Sequence, residues 1–497
     1  MSTGAETASD TGFFGHPRGL STLFFTEMWE RFSYYGMRAL LILFMTAPLA
    51  AGGLGMGTAE AGAIYGLYTS MVYMTTLPGG WVADRLIGAQ RAVLYGGILI
   101  ACGHFSMAVP SLTTFYVGLL LIVLGTGLLK GNVSVIVGRL YGPKDVRRDA
   151  GYSIFYMGIN TGAFISPLVC GYLGQRVSWH AGFAAAGIGM TLGLIQYSLG
   201  RKYLGTAGLH PADAGSPEAS AQRAKNAALW TAAVLGGIAL VGIGAYTGVL
   251  PVTPTQIADI AGYFLLILTL VFFGWLFFSP GWTPEERKRL VVIGVLFLAA
   301  ALFWSQFEQA GSTLNLFADR DSNNSLLGYE FPSTWYQSLN SLFIITLAPV
   351  FALIWVRLGR SGKEPSNSAK FGLGLLLVGA GFAVLVPAAF LAEQGMKVSP
   401  MWLVLVYLLH TCGELTLSPV GMSAMSKLAP VRIGGLVMGV WFLGSAVGNY
   451  IGGRLAAFYE AMPLHTLFGT VAAFGIAAGI VLFLLSRPIT RLEGGAG

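Results

Sequence analysis

The sequence predicts an all-α integral membrane protein with fourteen membrane-spanning helices and both termini on the cytoplasmic side. Three observations lead there. Of 497 residues, 55% are hydrophobic and only 10% charged, against roughly 25% charged in soluble domains; so much apolar surface escapes water only in a bilayer. Apolar runs of spanning length recur fourteen times. The basic residues are one-sided: with the N-terminus inside, 22 of the 29 Lys and Arg, among them Arg139, Lys144, Arg201 and Arg360, fall in cytoplasmic connections. Only Arg176, Arg320, Lys397 and Arg454 fall at or near the outside, a strong positive-inside bias. Losing one span would invert every later loop and destroy that asymmetry.

Taken in order, the tail 1–19 is polar, acidic through Glu6 and Asp10, and lacks the basic region of a cleaved signal peptide. The first helix is therefore expected to direct insertion. Spans at 22–50, 58–82, 91–110, 112–138, 150–174 and 179–200 make a first six-helix half, 20–200. The connection of about 201–226, with Pro211, Gly215 and Pro217, reads as a linker. Spans 227–249 and 256–279 carry almost no polar residue and read as a peripheral pair, so that linker and pair fill 201–286. Spans 288–317, 333–357, 371–392, 400–427, 434–457 and 464–486 make a second half, 287–486, before a cytoplasmic tail, 487–497. Two six-helix halves are how many secondary carriers are built. Glycine, 69 of 497 residues, lets such helices approach closely.

Several function classes are excluded at this level. The net charge of +7 comes with no basic tail and no basic stripe interleaved with aromatics, so nucleic acid is not an expected partner. Cys102, Cys170 and Cys412 lie in apolar segments and read as small core residues. The six histidines show no metal-ligand spacing; His410 reads as a neutral hydrogen-bonded side chain. No soluble segment is long enough for a separate enzyme, and no nucleophile stands beside a base. The expectation is a non-enzyme without metal, organic cofactor or obligate protein partner.

The chemistry lies in the few charges inside the spans. Glu27, Arg31, Tyr34 and Arg38 fall at i, i+4, i+7 and i+11 and share one helical face, about 16 Å long; Glu30 stands beside them. A charge at that depth costs at least a few kcal/mol unless it is paired or wet, so the stripe is expected to line an internal cavity that handles ions or a zwitterion. Lys130 is too deep in its run to snorkel easily and is expected to pair or to touch substrate. Glu308 and Glu414 are lone carboxylates on apolar helices. Such a group tends to hold a proton until a cation comes close, which is what proton coupling requires. The deep acids, Glu27, Glu30, Glu308 and Glu414, outnumber the deep bases, Arg31, Arg38 and Lys130, by one. If all seven face one cavity, one bound proton neutralises it when a zwitterion is loaded.

The turn Gly80-Trp81-Val82-Ala83-Asp84-Arg85-Leu86-Ile87-Gly88 resembles the loop signature of the major facilitator superfamily. Three further stretches narrow the likeness: Glu27-Met28-Trp29-Glu30-Arg31-Phe32, Gly125 to Ser134 around Lys130, and Phe155 to Gly162 around Asn160. With Phe303-Trp304 to Glu308, Gln337 to Asn340, and Gly413 to Pro419, they resemble the proton-dependent oligopeptide transporter (POT/PTR2) family, bacterial type, over nearly the whole chain. Ser341 stands where many members have proline.

The resemblance implies a major facilitator fold, two six-helix bundles plus two extra central helices, in the cytoplasmic (inner) membrane. It implies import of di- and tripeptides with protons as coupling ion. Arg38 and Lys130 would hold the peptide carboxylate and Glu414 its amino terminus, with Asn160 and Asn340 on the backbone. Tyr34, Tyr35, Tyr73, Trp304, Trp441 and Ser418 would shape the pocket. Glu27, Glu30 and Arg31, near Lys130, resemble the proton-linked cluster, and Glu308 would release Arg38 on protonation. Asp84 and Arg85 belong to the gate loop. Relatives of this pattern also move nitrate or other small anions, for which Glu414 is an awkward pocket residue. A sensor built on a transport fold would want a sizeable soluble tail.

Overall fold

The structure, a computed structural model, describes residues 10–142, 145–211 and 216–493. Lys144, Gly215 and the far ends of both tails, which entered the reading above, lie outside them. The long helices are α1 (Arg18–Thr46), α2 (Thr58–Met74), α3 (Ala89–Met107), α4 (Leu112–Arg139), α5 (Arg148–Arg176), α6 (Trp179–Gly200) and α7 (Pro217–Tyr246). They continue with α8 (Pro254–Phe278), α9 (Pro284–Phe307), α10 (Ser338–Arg360), α11 (Asn367–Glu393), α12 (Pro400–Leu428), α13 (Gly434–Leu455) and α14 (Leu464–Leu484). Each expected apolar run is thus helical. Among the described residues, ten helices are long and apolar enough to cross a membrane, namely α4 to α12 and α14. Side-chain caps set several starts: Ser178, Ser216, Ser366 and Ser399 accept backbone N–H groups, and Thr283 and Glu286 form a reciprocal capping box at α9.

Two runs expected to be continuous are broken. The run 58–82 divides at Thr75, with a second helix at Thr76–Val82. Pro78 lacks the N–H that would bond the Met74 carbonyl and crowds that turn. The run 288–317 stops at Phe307, passes through a 3₁₀ turn at Glu308–Gly311, and restarts as Thr313–Arg320. The following loop carries a two-stranded hairpin, Ser325–Leu326 against Tyr329–Glu330. Leu327 (φ +52°) and Gly328 (φ +84°) make its left-handed turn.

The chain forms two compact units. The first comprises Met1–Met37 and Met71–Ile257. Its core gathers Leu20 and Leu23 of α1, Val93 and Ile100 of α3, Leu129, Val133 and Ile136 of α4, and Met190 and Tyr197 of α6, all buried. Gln90 knots the base of this unit: its amide donates to the carbonyls of Gly205 (3.0 Å) and Ala207 (3.0 Å), and its carbonyl oxygens accept from Tyr197 and Arg201. The second unit comprises Arg38–Ser70 and Ala258–Gly497. Here α2 meets α13 backbone to backbone, since a Cβ on Gly453 would overlap the main chain of Gly66. Helix α8 is tied to α13 by Asp259 and Arg454 (3.0 Å) and by the Tyr450 hydroxyl, which donates to the Ala258 carbonyl (3.0 Å). Helices α7 and α8 leave most of their apolar side chains exposed, as suits helices surrounded by hydrocarbon.

Candidate functional site

The first unit carries a buried trio on α1. Arg31 Nε donates to Glu27 Oε1 (2.8 Å) and lies 3.1 Å from Glu30 Oε2. Glu27 and Glu30 are each 1% exposed, Arg31 8%. The i, i+4 spacing of Glu27 and Arg31 stacks them one turn apart, and Glu30 reaches the same guanidinium from the adjoining position. Glu27 Oε2 and Glu30 Oε1 have no hydrogen-bond partner among the described residues. Two carboxylates thus share one guanidinium away from water, and the Lys130 ammonium adds a second positive charge that acts on Glu27.

On α4, Lys130 rests its ammonium 3.6 Å from the centroid of the Tyr73 ring, a cation–π contact. Tyr34 is buried and meets Tyr35 edge-on at 5.2 Å. Asn160, on α5, donates to the Tyr156 carbonyl of its own helix (3.1 Å). In the turn after Thr76–Val82, residues 83–87 wind as a single wide turn closed by Gly88 (φ +81°). There the Arg85 guanidinium lies 5.3 Å over the Trp81 ring and Asp84 is exposed.

The second unit carries the other charged groups. Arg38 Nη2 lies 2.9 Å from Glu308 Oε2, both side chains nearly buried. Glu308 opens the 3₁₀ break after α9, so its carboxylate sits where the helix has let go of its regular bonds. Arg38 Nε donates to the Tyr65 hydroxyl (2.8 Å). A Cβ on Gly311 would collide with that hydroxyl and crowd Arg38 Nε, so a side chain there would have to displace one of the two. The Asn315 amide donates to the Ala39 carbonyl (2.8 Å), fixing the next turn of α1 to the restarted helix. Glu414, on α12, accepts from the Asn340 amide (3.0 Å), which also bonds Thr411 Oγ1 (3.1 Å). Trp304 stands edge-on to Phe307 on α9, and its indole N–H meets no acceptor among the described residues. Trp441 is 5% exposed and packs on Gly421 of α12. Ser418 is half-buried. His410 Nε2 bonds the Val378 carbonyl (3.1 Å) between Phe307 and Phe382.

Sequence reasoning missed Tyr65, Gly311 and Thr411. Tyr65 is one aromatic among several in an apolar helix, and only its partner, 27 positions away, reveals it. Thr411 did leave a signal, one turn before Glu414. Among the described residues no three His, Cys, Asp or Glu side chains gather as a metal site. Chemically, each unit offers cations and carboxylates held out of water, able to bind opposite charges and to exchange partners when one acid is protonated.

Comparison with known proteins gives a consistent result. The sequence profile of the POT family (PTR2) matches residues 90–474. The chain is 43% identical to the peptide transporter YePEPT of Yersinia enterocolitica subsp. palearctica, over 99% of this chain and 98% of the relative. It is 39% identical to a di-/tripeptide transporter of Lactococcus lactis subsp. cremoris, over 97% of each chain. Its fold superposes on a crystal structure of a peptide transporter POT in complex with sulfate with a TM-score of 0.90, at 44% identity and 98% coverage of both chains.

Proposed function

The chain belongs to the POT family, and from that premise we propose that it is a proton-coupled symporter importing di- and tripeptides by alternating access. The proposal includes fourteen spans with both termini cytoplasmic, in the inner membrane of a bacterium, and protons as the coupling ion. A peptide of any side chain is recognised by what all peptides share, a carboxylate, an amino group and the backbone between them. Arg38 and Lys130 take the carboxylate through charge-assisted bonds. Glu414 takes the amino group, and Asn340 and Asn160 bond the backbone. Tyr34, Tyr35, Tyr73, Trp304, Trp441 and Ser418 shape the space for side chains, and Asp84 and Arg85 serve the gate loop. Protonation of Glu308 releases Arg38, and Glu27, Glu30 and Arg31 carry the coupled proton. Each proton supplies roughly 2.3 kcal/mol per 100 mV and about 1.4 kcal/mol per pH unit, enough for accumulation of roughly a few hundred-fold.

The observation that most supports coupling is the trio in which two carboxylates hold one guanidinium, 2.8 and 3.1 Å away, with carboxylate oxygens left unbonded. An unbonded carboxylate oxygen held out of water is a place for a proton to bind. The alternative, a nitrate or small-anion carrier, is not favoured: relatives at 43% and 39% identity are named for peptides, and Glu414 would repel an anion. The deciding experiment is uptake of labelled dialanine into proteoliposomes with and without an inward proton gradient, with unlabelled dialanine or nitrate as competitor. Gradient-driven accumulation that dialanine blocks and nitrate does not is expected. Accumulation without a gradient, or competition by nitrate alone, would overturn the proposal.

A further inference from the structure

Behind the Glu27–Glu30–Arg31 trio lies an apolar groove of about 310 Å³, walled by α1, α5 and α6. Its floor is Trp29 and Phe32 of α1 with Gly162 and Gly189; its rim is Ile165, Val169, Ile188 and Leu192, between 38% and 54% exposed. No polar side chain lines it. At 100° per residue, Trp29 and Phe32 point away from Glu27, Glu30 and Arg31, so one turn of α1 presents charge on one face and hydrocarbon on the other.

We propose that this groove binds one phospholipid acyl chain, and that the bound chain braces α1 behind the Glu27–Glu30–Arg31 trio. Three observations favour this occupant. The groove opens between α5 and α6, both long and apolar enough to cross a membrane, so hydrocarbon is the solvent that reaches it. Trp29 lies about 10 Å along α1 from the start of its apolar run at residue 22, roughly a third of the way through a bilayer core, where tails rather than headgroups are found. Helices associate in a bilayer through small residues that admit a second backbone. Here Gly162 and Gly189 are already spent inward, because a Cβ on either would strike α1 at Met28 or Phe32. The outer rim is branched and bulky, which suits a flexible chain and not a second helix. An empty groove forfeits the dispersion contacts of its walls and frees Trp29 and Phe32 to shift, carrying the trio with them.

The test uses the full chain in two kinds of bilayer, one with acyl chains brominated near their middle and one with bromine next to the headgroup. The Trp29 share of the fluorescence, taken as wild type minus Trp29→Phe, is expected to be quenched in the first and spared in the second. Ala185→Phe, which fills the groove, is expected to abolish that quenching and to alter proton-driven uptake several-fold. Ile188→Phe, at a rim position 54% exposed, is a second filler. Equal quenching in both bilayers, or none, overturns the site. Cross-linking between copies through Ile188→Cys, with lipid-insensitive fluorescence, assigns the groove to a second copy and overturns it too. Unchanged uptake in both fillers removes the bracing role. The bracing arm rests on the transport function proposed above, whereas quenching is read without substrate and stands apart from it.

Discussion

At Glu27, Glu30 and Arg31 two carboxylates share one guanidinium, whereas at Arg38 and Glu308 one carboxylate meets one guanidinium. Both groups draw on helix α1 and both are nearly buried. The first leaves carboxylate oxygens unbonded, so a proton can add there without breaking a hydrogen bond. The second is a one-to-one pair, and a proton on its carboxylate weakens the attraction that holds it. In the mechanism proposed above, the difference separates storage from release: the cluster with unbonded carboxylate oxygens would hold the coupling proton, and the one-to-one pair would report its arrival by coming apart.

The comparison is broken most directly by Glu30→Gln. Removing one acid takes a proton site from the trio, so gradient-driven accumulation, roughly a few hundred-fold per proton at best, is expected to vanish while peptide exchange and thermal stability persist. Full accumulation in both Glu27→Gln and Glu30→Gln would remove the trio from the mechanism. Arg38→Ala acts oppositely. It leaves Glu308 buried without its cation, which costs about 3–5 kcal/mol, so unfolding in detergent should come markedly earlier than for Glu30→Gln. Equal melting of the two variants would erase the distinction between the shared acids and the one-to-one pair.

Smaller effects sharpen it. Glu414→Ala should weaken zwitterionic peptides far more than N-blocked ones in competition assays; Asn340→Ala should lose about 1–3 kcal/mol of the same preference, because Glu414 then loses its donor. Tyr65→Phe removes the oxygen that accepts from Arg38 Nε. About 1–3 kcal/mol is expected, read as a rise in KM for peptide uptake with little change in pH dependence. The smallest effect belongs to a matched pair outside the spans. Hydrogen bonds from the Arg147 side chain and backbone pull the Asp145 carboxyl down to about 2. A carboxyl lowered by folding stabilises fully above its unfolded value of about 3.9 and loses that effect as the pH falls through about 2. The melting difference between wild type and Asp145→Asn should therefore be flat from neutrality down to about pH 4, shrink as the pH falls further and be gone below about pH 2. A difference that varies between pH 5 and 8 would contradict the assignment.

Much of the architecture was legible because hydropathy reports the bilayer directly: the apolar runs became α1 to α14, and the charged stripe of α1 could only be buried. What escaped notice was local or distant. The break at Thr75 was readable from Pro78, since a proline cannot continue the ladder to Met74. The break at Glu308–Gly311 has no proline; it follows from side chains such as Ser312, which donates to Gly452 (3.4 Å), and Asn315, which donates to Ala39. Partners 140 and 276 positions apart leave no periodicity behind. The same holds for the site: Glu27 and Arg31 announce their contact by helical spacing, whereas Arg38, Tyr65 and Gly311 meet through three separate segments. Asn160 illustrates the remaining limit, because an asparagine in an apolar run reads the same whether it bonds its own helix or a neighbour.

The bare backbone contact of Gly66 with Gly453 has a consequence for how the second unit tolerates change. Where two main chains touch with nothing between them, there is no rotamer to adjust and no slack to redistribute. A single methyl at Gly453 is a wedge felt along the whole zipper, at an overpacking cost of about 1–3 kcal/mol. Directed evolution of this carrier should find Gly66 and Gly453 immovable while the exposed flanks of α7 drift freely.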